Sequence, residues 1–203
     1  MPNIRIVLPF TYIHNAALDQ LLRWWERSES LPEDFNLGGF DEVAYALAKY
    51  PEGVAVLREF LEADDLERRS AALRFLAWPG IADEDVRAAL IRAFWSADRE
   101  FRCIALWGFI DLSFFPFSRV DLQPLLEGAD QRIAALAMVY LSWACPEDSV
   151  TILRDALRST NPRMREYACD EIGDRDIEEL KEELRLLVND ADPDVAETAR
   201  LNL

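Results

Sequence analysis

Five short polar residues recur along this chain in near-register: Asp65, Asp98, Asp130, Asn161 and Asp192, separated by steps of 33, 32, 31 and 31. Seven residues after each stands an alanine (Ala72, Ala105, Ala137, Ala168, Ala199), and eight before each a leucine (Leu57, Leu90, Leu122, Leu153, Leu184). Chance gives ten such matches with a probability on the order of 10⁻⁹ before allowance for the choice of register. The chain is therefore a tandem array. A module of this size cannot bury its own apolar faces, so its copies must pack on one another.

Each module divides into two helical patterns. The first carries the leucine and, four residues later, a second apolar residue: Leu61, Phe94, Leu126, Leu157 or Val188. A spacing of four places both on one helix face. The second pattern carries Arg68, Phe101, Ile133, Met164 or Val195 three residues after the polar residue, then the alanine. A large apolar residue follows at the eleventh position: Leu76, Phe109, Leu141, Ile172 or Leu203. These positions form an i, i+4, i+8 stripe, with the smallest good helix former in its middle so that the paired helices can approach closely. The recurring Asp or Asn is expected to cap the second helix by accepting from its orphan N–H groups. Pro162 and Pro193 follow it, as suits a first helical turn. Arg69, Arg102 and Arg165, four residues beyond the cap, are expected to pair with capping acids of neighbouring modules, in a ladder interrupted by Ala134 and Ala196.

The stretches Asp190-Ala-Asp192-Pro193-Asp194-Val195 with Ala199, and Asn161-Pro162-Arg163-Met164-Arg165 with Ala168, Ile172 and Gly173, resemble the HEAT repeats. The resemblance is closest to their short form in phycobilisome lyases and covers about residues 51–203. It implies an all-α fold: an α-solenoid of about five HEAT-like helix pairs, with second helices lining the concave side. It leaves activity open, since such solenoids serve scaffolding, inhibition and catalysis.

Residues 1–50 fit the module poorly and are read as a degenerate N-terminal helical cap on the array 51–203, within one continuous domain. Helices are expected over Asn15–Ser28 and Phe40–Lys49, separated by Leu31-Pro32-Glu33-Asp34 and Gly38-Gly39. Leu203 ends the last stripe and is expected at an exposed apolar edge or an interface. No signal peptide is read at the start.

The formal charge is −16, and residues 170–203 carry 12 acidic against 4 basic residues, half of the net charge. Such a chain repels phosphate backbones and anionic lipid, which disfavours nucleic-acid and membrane partners. The apolar run Ile133–Cys145 is too short to span a bilayer and is read as a buried central helix. Cys103, Cys145 and Cys169 lack metal-ligand or CxxC spacing. Cys169 shares a module slot with Leu73, Leu106 and Met138 and is read as core, which fits a reducing, cytoplasmic setting.

The face beside the core stripe carries the candidate partner-binding residues: Trp78, then Trp107 and Asp111, then Arg132 and Trp143, then Arg163, Asp170 and Asp174. Trp and Arg are the side chains that most often anchor interfaces, so an aromatic and charged groove is expected. The competing reading packs these indoles between modules as core. The segment Ser113-Phe114-Phe115-Pro116-Phe117-Ser118 is read as a plug whose rings fold back. Trp107 and Asp111, one turn apart, are similar to the Trp and Asp pair of HEAT-like alkylpurine DNA glycosylases, but 22 cations against 38 acids suit a DNA groove poorly. His14 is the single histidine, and no phosphate loop or acid–base pair is evident. The sequence therefore points to a non-catalytic scaffold or adaptor that binds a protein partner through the concave groove, with no cofactor, metal or small molecule implied. The partner is basic if the acidic C-terminal surface docks it, whereas the competing reading of that surface is a solvated face that aids solubility. The alternative is an immunity or antitoxin-type inhibitor of a basic toxin.

Overall fold

A computed structural model describes residues 18–27 and 40–203, and shows no strand among them. Twelve α-helices follow one another: α1 (Leu18–Arg27), α2 (Phe40–Leu47), α3 (Pro51–Glu59), α4 (Leu66–Leu76), α5 (Glu84–Phe94), α6 (Arg99–Asp111), α7 (Arg119–Leu126), α8 (Gln131–Ala144), α9 (Ser149–Leu157), α10 (Pro162–Asp174), α11 (Lys181–Leu186) and α12 (Pro193–Leu201). The two helices expected before residue 50 are present as α1 and α2. His14 and the breaks at 31–34 and 38–39 lie outside the described residues.

The recurring column is the buried core. All five leucines and all five alanines of the column have 0% of their surface exposed. Burying one such leucine contributes about 1.5–3 kcal/mol, so the register of the sequence is an energetic register as well. Each polar residue of the column is also the N-cap of its helix. Asp65 accepts from the N–H groups of Glu67 and Arg68 at 3.1 Å each, and Asp98 from Glu100 at 2.8 Å and Phe101 at 3.2 Å. Asp130 accepts from Arg132 and Ile133 at 3.1 Å each, and Asp192 from Asp194 at 3.1 Å and Val195 at 3.4 Å. Asn161 accepts from Arg163 N–H at 2.9 Å, while its amide Nδ2 donates to the Gln131 carbonyl at 3.0 Å. It thus caps α10 and fastens it to the start of α8.

The described chain packs as two compact units, the first ending at Leu112 and the second running from Ser113 to Leu203. In the first, α3 packs on α4 and α5 on α6, and α4 lies against α6, with α1 and α2 set against α3 and α4. Gly108 lets α6 come close: a Cβ there would stand 2.7 Å from Leu90 Cδ2 and 3.1 Å from Ala77 Cβ. Gly53 has the same role in α3, where a Cβ would meet the Leu47 carbonyl oxygen at 2.2 Å.

In the second unit, α7 pairs with α8, α9 with α10 and α11 with α12, and α10 lies against both α8 and α12. Residues 133–142 of α8 are all buried, so the longest apolar run is a core helix. No helix among the described residues is long and apolar enough to cross a membrane. Cys103 and Cys169 are buried, and burial pushes the Cys169 thiol up to about 12. Ser113, with φ 48, opens the phenylalanine segment. Phe115 stands edge-on to Tyr140 at 5.2 Å. The Tyr140 hydroxyl accepts from Phe117 N–H at 2.8 Å and donates to Phe117 C=O at 3.0 Å. That segment folds back on α8, as a plug does.

Two expectations need correction. The first helix of the fifth module is only the six-residue α11, flanked by 3-10 turns at Glu178–Leu180 and Leu187–Asn189. The arginine ladder does not reach the caps. Arg165 forks onto Asp190 at 2.9 and 2.7 Å, because the Asp192 carboxylate already serves its own helix. Arg69 stacks on Phe101 at 4.6 Å, and Arg102 has its Nε buried with no hydrogen-bond partner among the described residues.

Candidate functional site

The first unit holds Trp78, Trp107 and Asp111. Arg69 of α4 lies over Phe101 of α6, and Ala77 after α4 lies against Gly108. The contacts advance together along both helices, so α4 and α6 run parallel and end side by side. Trp78 follows Ala77, and Trp107 precedes and Asp111 follows Gly108, so the backbone positions of the three lie near the paired ends of α4 and α6. Trp78 is 45% exposed, and Trp107 and Asp111 are half-buried. Desolvation pushes the Asp111 carboxyl up to about 6, with no ion pair or hydrogen bond among the described residues to offset it. Arg74 of α4 meets Glu100 of α6 at 2.9 Å on the same pair of helices.

The second unit holds the remaining candidates. Trp143, half-buried near the end of α8, donates its indole N–H to Glu171 Oε2 at 2.8 Å. The Arg175 guanidinium lies 4.7 Å from the centre of the Trp143 ring and 3.6 Å from the same carboxylate. It also donates to the hydroxyl oxygens of Ser142 at 3.1 Å and Ser149 at 2.6 Å. Burial pushes the Glu171 carboxyl up to about 7, against the opposing pull of Arg175 and the Trp143 N–H. Asp170 accepts from Asn202 Nδ2 at 3.1 Å, and partial desolvation raises its carboxyl to about 6. Arg163, exposed on α10, pairs with Glu166 and lies 3.5 Å from Asp194. Asp174 is exposed at the end of α10, and Arg132 is half-buried in the first turn of α8.

Sequence reasoning placed Trp143 on the face but missed Glu171, Arg175, Ser142 and Ser149, which hold it. The one available signal was a module alignment placing Glu171 beside the core position Ile172. Perturbed carboxyls often accompany acid–base chemistry. Here Glu171 is buried against Trp143 and Arg175, and among the described residues no neighbouring charge acts on Asp111. The arrangement holds partly exposed indoles, one of which, Trp143, is hydrogen-bonded to a carboxylate.

No family model matches the sequence, and no curated protein matches it significantly. The chain is similar to a solved crystal structure of an engineered protein at 20% identity, over 90% of this chain and 93% of that one, with a TM-score of 0.47. A likeness that weak carries no argument.

Proposed function

We propose that this chain is a HEAT-like α-solenoid that binds a protein partner through the faces of its second helices, as a non-catalytic scaffold or adaptor of the cytoplasm. One observation carries the reading. Trp78, Trp107 and Trp143 all keep part of their surface in solvent, while the apolar column beside them is fully buried. Large amphipathic rings left partly in water are the usual anchors of interfaces.

The test is affinity capture of the partner by the tagged chain, followed by titration with Trp107→Ala and Trp143→Ala. Loss of at least about tenfold in affinity for one variant supports the reading, a typical cost for an anchor residue. Unchanged affinity in both refutes it.

The exposed acids Glu178, Glu179, Glu182, Asp194 and Glu197 favour a second reading, an immunity or antitoxin-type inhibitor of a basic toxin. Association driven by such charges weakens steeply with salt. Salt-insensitive binding removes that reading while leaving the first intact.

A further inference from the structure

We propose that the Trp78, Trp107 and Asp111 surface of the first unit receives an arginine side chain from a basic segment of the protein partner. The inference rests on the partner-binding reading and names the chemistry of what docks. Three features converge on a cation. Helices α4 and α6 end together here, and helix C-termini present negative partial charge that favours cations within the last turn. No basic residue occupies the last turn of α6, and the single one in α4, Arg74, is engaged by Glu100. Asp111 is half-buried, and no charge or hydrogen bond among the described residues compensates its carboxylate. An unpaired desolvated carboxylate is costly, and an arriving cation relieves that cost.

The indoles decide which cation. A guanidinium is flat, stacks on aromatic faces and forks onto carboxylates, whereas an ammonium is a compact, strongly hydrated point charge. The chain uses this chemistry internally, where Arg175 lies over Trp143 and beside Glu171. The formal charge of −16 draws basic polypeptide and repels phosphate backbones, so the occupant is a protein segment.

The experiment uses the full chain labelled with ¹⁵N, whose six tryptophans give six indole N–H signals. Trp78→Phe, Trp107→Phe and Trp143→Phe assign the relevant ones. The probes are the blocked peptide Gly-Ser-Arg-Ser-Gly and the same peptide with neutral, isosteric citrulline in place of arginine. The expected result is saturable movement of the Trp78 and Trp107 signals by the arginine peptide, with a Kd in the roughly millimolar range that suits one side chain. Citrulline is expected to produce none, and Asp111→Asn to weaken the arginine titration by about fivefold or more. Unmoved Trp78 and Trp107 signals, or equal responses to citrulline or in Asp111→Asn, overturn the proposal. Movement of the Trp143 signal alone overturns it too, yet leaves the broader partner-binding reading standing. That reading is judged separately by the capture experiment.

Discussion

Leu184 and Leu186 lie two residues apart on α11, and the first has 0% of its surface exposed, the second 77%. Truncating each to alanine removes the same atoms from opposite environments. At Leu184 the loss is three carbons at ~0.8 kcal/mol each, about 2.4 kcal/mol. The residual cavity raises this to roughly 3 kcal/mol, near the low end of measured core truncations. At Leu186 the same change stays within about 0.5 kcal/mol, as surface substitutions do. Urea unfolding followed by circular dichroism reads the difference. With a slope of about 2 kcal/mol per molar, Leu184→Ala moves the midpoint down by roughly 1.5 M and Leu186→Ala by less than about 0.3 M. Equal shifts, or a larger one at Leu186, would show that the module register derived from the leucine column is wrong.

Three further outcomes are expected. Glu171 holds its proton at about 7 when folded against 4.5 ordinarily, so its contribution is full below pH 4.5 and is lost as pH rises through 7, a swing on the order of 3 kcal/mol. Glu171→Gln, which stays neutral, should raise the urea midpoint at pH 8 and flatten its fall between pH 5 and 8; an unchanged slope would refute the assignment. Gly53→Ala drives a methyl group into the Leu47 carbonyl and should lower stability by at least about 2 kcal/mol by thermal melting, despite alanine's better helix propensity. Tyr140→Phe removes both hydrogen bonds to Phe117 and should cost about 1–3 kcal/mol, while the Phe115 ring contact persists; amide exchange at Phe117 should speed up in step.

The backbone plan was legible because three constraints repeat in every module: a leucine, an alanine and a capping oxygen at fixed offsets. Repetition turned each weak propensity into a strong one, and the structure buries or caps every member of the set. The site was legible only in part. Trp78, Trp107 and Trp143 announce themselves by type, but how far each is exposed depends on packing that no local pattern encodes. Glu171 and Arg175 were hidden for a different reason. In an acidic chain a glutamate beside Asp170 reads as one more solvated charge, and its burial follows from where Trp143 and the serines of α8 and α9 arrive in space. The Arg165 pairing was missed because Asp190 and Asp192 are chemically alike. Asp192 was expected to cap its helix, but that Asp190 stands within reach of the Arg165 fork shows only in the folded backbone.

The amide at position 161 marks a limit to averaging these modules. A designer building a consensus would write aspartate there, as at the other four places. The new side chain could still crown α10, but it would have no hydrogen to offer the Gln131 carbonyl and would set two oxygens against each other. An idealised copy of this protein would gain uniformity and lose a fastening between adjacent rods, so the odd letter in the motif is worth keeping.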